Sequence, residues 1–149
     1  MTQPLSQPTD LRKRELVELQ IPGNVDHVVL ARFTAATVGA RAGFDIDEIE
    51  DLRLAVDELC VSFGPVEENK NLRMEFLRVD DTVRITCRFE TLAPGEDSPS
   101  ASDSSRVDWG RTDELSRQLL NALVDDHGRE ALGPDPCAWV QKQRKVAST

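Results

Sequence analysis

The chain has 149 residues, of which 39% are hydrophobic, 30% charged and 5% aromatic, and its formal charge is −9. That length suits one compact domain with its own core, and the periodic apolar segments exclude a collagenous or fully disordered chain. The acidic balance repels nucleic acid and anionic membranes, so neither is an expected partner, and no run of about eighteen apolar residues offers a transmembrane helix.

Residues 1–12 are polar, contain Pro4 and Pro8, and read as a frayed tail without the apolar stretch of a signal peptide. Val17, Leu19 and Ile21 alternate with Glu18 and Gln20, which predicts a half-buried strand ended by Pro22 and Gly23. Asn24 is the predicted N-cap of a helix of roughly twenty residues. Its apolar stripe toward the sheet is read as Val29, Leu30, Phe33, Ala36 and Ala40, with Arg41 in the last turn and Gly43 as the stop.

A second helix is the clearest signal in the chain. Asp45 or Asp47 caps it, and Ile49, Leu52, Val56, Leu59, Cys60 and Phe63 recur at spacings of three and four before Gly64 and Pro65. Leu72, Met74 and Phe76, then Val83, Ile85, Cys87 and Phe89, alternate with polar residues around Asp80 and Asp81, which predicts a hairpin. Residues 91–108 hold five serines, two prolines, one glycine and four acidic residues, the composition of a mobile loop. A third helix is expected from about Thr112 to His127, with Leu115, Leu119, Leu120, Leu123 and Val124 as its apolar side. One or two short strands finish the chain, the better one around Cys137 to Gln143.

This order has too few single-helix crossovers for a doubly wound parallel sheet. It predicts an α/β two-layer sandwich, with a mixed, mainly antiparallel sheet and helices on one face, in a single domain over residues 13–146. The three cysteines, Cys60, Cys87 and Cys137, form no CxxC pair, so neither a disulfide framework nor a metal site is expected. Cys60 and Cys87 fall on apolar phases and read as small buried hydrophobes, as suits a reducing cytoplasm. His27 and His127 are isolated and read as surface helix residues. Neither a nucleophile elbow nor a GxxxxGK[ST] phosphate loop is present.

Asp51, Leu54, Glu58 and Ser62 share one face of the second helix. Spacing alone leaves two readings for Glu58: an ordinary solvated acidic face, or a carboxylate pointing into a cleft beside the sheet.

The segments LRLAVDELC, Leu52 to Cys60, and LLNALVDD, Leu119 to Asp126, together with the order of elements, resemble the RsbW-type anti-sigma factors and serine kinases. That family lies within the histidine-kinase-like ATPase superfamily, and the likeness covers roughly residues 14–146 and looks closest to actinobacterial members with diverged nucleotide motifs. The resemblance implies that superfamily's fold. It places Glu58 at the glutamate that polarises the attacking hydroxyl in phosphoryl transfer, and Ser62 where the family has a magnesium-binding asparagine. The family's DxGxG turn is replaced by Glu90, Thr91, Leu92, Ala93, Pro94 and Gly95, and Glu114 and Ser116 fall on the glycines of its phosphate-cradling GxG. Arg32, within VLAR, falls on the arginine of the family's protein-binding surface.

What the resemblance implies, with those departures, is an anti-sigma factor with a degenerate nucleotide site and no cofactor. It would sequester an alternative sigma factor of the stress or development type and be relieved by a STAS-type anti-anti-sigma protein, and the family commonly forms a homodimer. Two alternatives stay open: an active serine kinase using ATP and magnesium, with Glu58 as its base, and a non-catalytic dimerising scaffold.

Overall fold

Alternation of apolar and polar residues builds most of the sheet. In a computed structural model, which describes residues 13–23, 25–61, 70–91, 113–130 and 137–145, the strands are β1 (Arg14–Pro22), β2 (Lys70–Val79), β3 (Thr82–Thr91), β4 (Asp126–Glu130) and β5 (Cys137–Gln143). They form one sheet in the order β1-β2-β3-β5-β4, and every pairing is antiparallel, so the parallel component of the expected mixed sheet is not found among the described residues. The predicted tail, the N-cap Asn24, Ser62, Phe63, Gly64, Pro65 and residues 92–108 of the predicted loop lie outside the described residues.

The helices are α1 (Val28–Arg41), α2 (Ile46–Val61) and α3 (Asp113–Leu123), with a short 3-10 turn at Val25–His27 before α1. They lie on one face of the sheet with α2 in the middle, packed against α1 on one side and α3 on the other. The core between the layers is filled by Met74, Phe76, Val83, Ile85, Cys87 and Val140 from the strands and by Leu52, Val56 and Leu59 from α2. Cys60 and Cys87 are both buried there, as their apolar phase implies. Among the described residues no helix is long and apolar enough to cross a membrane.

The expected α1 stripe is corrected. The buried positions are Ala31, Ala35, Val38 and Gly39, whereas Val29, Leu30 and Phe33 are exposed, Phe33 to 62%. The physical reason is close approach. A Cβ on Gly39 would lie 3.2 Å from the Phe44 ring and 3.3 Å from Leu52, so this face admits only small side chains. Larger apolar residues are displaced to the outside. The helix ends as expected, with Gly43 at a φ of +90°.

The third helix is also corrected. It ends at Leu123 rather than near His127, and His127 lies on strand β4. His27 lies in the 3-10 turn. The Asp125 N–H donates to the Gln141 carbonyl (3.0 Å), which turns the chain into the sheet. Within α3 the buried residues are Ser116, Leu120 and Leu123, while Leu115 and Leu119 are exposed.

The α1 face gives a direct test. Ala35→Leu forces extra volume into a closed face and should cost about 1–3 kcal/mol in urea denaturation. Ala40→Leu, the same change on the outer face, should stay within about 0.5 kcal/mol of the unaltered chain. Equal effects at the two sites would contradict this orientation of α1.

Candidate functional site

The N-terminus of α2 is set by a reciprocal cap. The Asp45 carboxylate accepts from the Glu48 N–H (2.8 Å) and the Glu48 carboxylate accepts from the Asp45 N–H (2.9 Å). The other Glu48 oxygen accepts from the Lys145 N–H (2.6 Å), which ties this end of the helix to the chain leaving β5. One turn later Asp51 lies 3.6 Å from Lys142 Nζ. Lys142 is itself buried and donates to the Leu123 carbonyl (2.8 Å), one of the carbonyls that the end of α3 leaves without a helical partner.

Farther along α2, two adjacent carboxylates diverge by about 100°. Asp57 turns toward α1, where its Oδ1 lies 2.7 Å from Arg32 Nε. Both side chains remain more than one-third exposed, so the pair contributes at most about 1 kcal/mol to stability. It does hold the guanidinium in place. Val29 and Leu54, each one turn before a member of the pair, are exposed, so Arg32 stands beside apolar surface.

Glu58 turns the other way, toward α3. The Ser116 hydroxyl donates to Glu58 Oε2. Ser116 is only 1% exposed, because it falls in helical phase with Leu120 and Leu123. Glu114 points to solvent, where its carboxylate accepts from the Gln118 amide at 3.4 Å. The structure therefore brings Glu58 and Ser116 together, places Arg32 on the opposite flank of α2, and leaves Glu114 outside the contact. Ser62 lies outside the described residues.

Burial pushes the Cys87 thiol well above its ordinary value, with Cys60 beside it, and burial also raises Cys137. Neither is suited to act as a thiolate nucleophile. Among the described residues no three His, Cys, Asp or Glu side chains are grouped as metal ligands. His127 Nε2 lies 2.9 Å from the Asn121 side-chain oxygen, and its pKa is lowered, chiefly by burial.

Asp57 and Lys142 were not legible as site residues, and Ser116 was singled out by the resemblance as a nucleotide-site position rather than as a buried partner of Glu58. The signal for Ser116 was its phase: it precedes Leu120 by four and Leu123 by seven, so an inward-facing serine needed a polar partner.

No family model matches the chain. Individual relatives do. The protein named "Serine-protein kinase RsbW" of Bacillus mycoides (strain KBAB4) is 36% identical over 133 residues, covering 78% of this chain and 78% of the relative. The same-named protein of Bacillus pumilus (strain SAFR-032) is 28% identical over 123 residues, covering 75% and 76%. That of Staphylococcus epidermidis is 25% identical over 123 residues, covering 76% and 77%.

Two outcomes follow from this geometry. Ser116→Ala removes the donor to Glu58 and should lower stability by about 1 kcal/mol or more in chemical denaturation; an unchanged midpoint would show that the contact carries no weight. His127 is harder to protonate folded than unfolded, so its contribution to stability is lost as pH falls through the ordinary value of 6.5 toward the folded one. Its NMR titration midpoint should fall below 6.5; a midpoint at or above that value contradicts the assignment.

Proposed function

Because the chain belongs to the RsbW family of serine-protein kinases, we propose that it is a cytoplasmic anti-sigma factor that acts by binding, with a degenerate nucleotide site. The observation that carries this reading is the hydrogen bond from Ser116 to Glu58. In the family pattern, Ser116 stands at a glycine whose bare backbone approaches phosphate. Here a side chain occupies that position, and its hydroxyl engages the carboxylate that would otherwise polarise an attacking group.

Glu114 stands at the companion glycine of the family pattern, and its side chain points to solvent. Ser62 replaces an amide at the magnesium position, and a serine hydroxyl is a shorter ligand for an ion that demands near-ideal octahedral geometry. These residues do not fit magnesium–ATP, and no phosphoryl step is assigned to them.

Function then reduces to a choice between two protein partners. An alternative sigma factor would dock over the exposed α1–α2 surface around Arg32, and a STAS-type anti-anti-sigma protein would compete for overlapping surface. Each tenfold change in partner preference corresponds to about 1.4 kcal/mol of differential affinity. Arg32 suits this role because Asp57 already orders it, which reduces the entropy lost on docking. Its planar fork presents several donors to a partner carboxylate.

A second reading, an active serine kinase, is favoured by the printed names of the relatives and by the presence of Glu58. Calorimetry with magnesium–ATP separates the two. Binding-only function predicts a dissociation constant weaker than about 10 micromolar, roughly −7 kcal/mol. Tighter binding, or transfer of phosphate to a STAS protein, would replace this proposal with the kinase. In sigma-factor binding, Arg32→Ala should cost about 2 kcal/mol or more. Glu58→Ala should cost under about 0.5 kcal/mol. The reverse pattern would also favour the kinase.

A further inference from the structure

The described helices cover one face of the sheet, where Met74 and Phe76 of β2, Ile85 and Cys87 of β3, and Ala138 and Val140 of β5 are buried. Strand alternation turns the residues between them to the other face. There Arg84, Thr86 and Arg88 of β3 stand opposite Gln141, Trp139 and Cys137 of β5, and all six are partly exposed.

The centre of this face is a seated tryptophan. Gly128 pairs with Trp139 and makes room for its ring, since a Cβ on the glycine would approach the ring to 2.9 Å. The Arg84 guanidinium lies over the ring, 4.0 Å from its centroid, and Arg84 Nη1 donates to the Gln141 side-chain oxygen (3.3 Å). Both side chains are therefore held in place by their own chain.

The same face carries uncompensated cations. Arg32, Arg41, Arg53, Arg73 and Arg78 each have a carboxylate at ion-pair distance. Among the described residues no carboxylate lies that close to Arg84 or Arg88. Glu75 stands opposite Thr86, in the row between the two arginines, and pairs with neither. Arg88 instead faces a second cation, Arg73, across the β2–β3 ladder, an arrangement that costs stability unless an anion offsets it. In a chain of net charge −9, this is a local basic strip beside an ordered aromatic ring.

We propose that this sheet face docks an acidic amphipathic helix of a partner protein, which adds a third layer to the fold. Arg84 and Arg88 are four residues apart, roughly 13 Å of strand. Arg84 leans toward Trp139 and shortens that span. On a helix, carboxylates about seven residues apart share one face and are separated by roughly 10 Å. Apolar side chains between them meet Trp139. Ordered tryptophan and arginine side chains are the types that anchor interfaces, and less entropy is lost when they are already held. A nucleic acid is disfavoured here because its many phosphates meet the acidic balance of the whole chain. The face lies on the opposite side of the sheet from α1 and α2, so its occupancy is independent of the surface around Arg32.

The test is fluorescence anisotropy of a labelled synthetic peptide titrated with the full chain, with circular dichroism as the folding control. The peptide is an amphipathic helix of about eighteen residues, with two glutamates about seven positions apart flanking leucines. It should bind with a dissociation constant below about 100 micromolar. Arg84→Glu or Arg88→Glu should weaken binding at least about tenfold, and Arg88→Gln should weaken it less. Arg53→Glu, the same charge change on the helix side, should leave it unchanged. A peptide with lysines in place of the two glutamates should bind the Arg84→Glu, Arg88→Glu double variant and not the unaltered chain. The proposal is overturned if the acidic peptide binds no tighter than one with glutamines at those positions, if the arginine changes leave binding intact, or if the lysine peptide fails to bind the double variant. Tighter, Arg88-dependent binding of a single-stranded oligonucleotide overturns it equally.

Discussion

Carboxylates at four positions of α2 reach four different neighbours. Glu48 grips the chain after β5, Asp51 lies beside the buried Lys142, Asp57 pairs with Arg32 on α1, and Glu58 accepts from Ser116 on α3. The helix is thus both the centre of the core and the hub of its polar connections. Its apolar stripe fixes depth over the sheet, and its acids fix the angles of its neighbours. Each acid has a partner, so an acidic helix can sit in the middle of a layer without leaving a half-buried carboxylate unsatisfied.

The adjacency of Asp57 and Glu58 organises the two flanks of that layer. One residue faces an open surface with an ordered arginine and exposed apolar side chains. The next faces a buried serine. An exposed flank and a buried polar contact thus lie back to back on a single turn of α2.

Strand legibility in the sequence came from period-two alternation. It was strong in β2 and β3, and the Asp80–Asp81 turn and β5 followed from the same signal. Strand β4, Asp126–Glu130, has no apolar alternation at all. It exists because β5 offers a pairing edge and because Gly128 lies beneath Trp139, where a Cβ would approach the ring to 2.9 Å. Such a strand is visible only in three dimensions. The α1 stripe was misread because hydrophobicity picks out large residues, while close helix packing selects alanine and glycine. Phase on α2 left Glu58 open between a solvated face and a cleft, and only the family resemblance singled it out; its contact with Ser116 joins positions 58 residues apart and depends on how α3 is rotated.

The pairing of β1 with β2 has a consequence for how the chain is made. Lys13 and Asp80 meet across 67 positions of sequence. The neighbouring β2–β3 hairpin closes through a tight turn and can form alone. At about 5–20 residues per second, β1 waits on the order of 3 to 13 seconds after leaving the ribosome before its partner strand exists. During that interval Leu16, Val17, Leu19 and Ile21 have no sheet to join. A nascent-chain chaperone holding this one segment would cover apolar residues that wait for a partner strand far along the sequence.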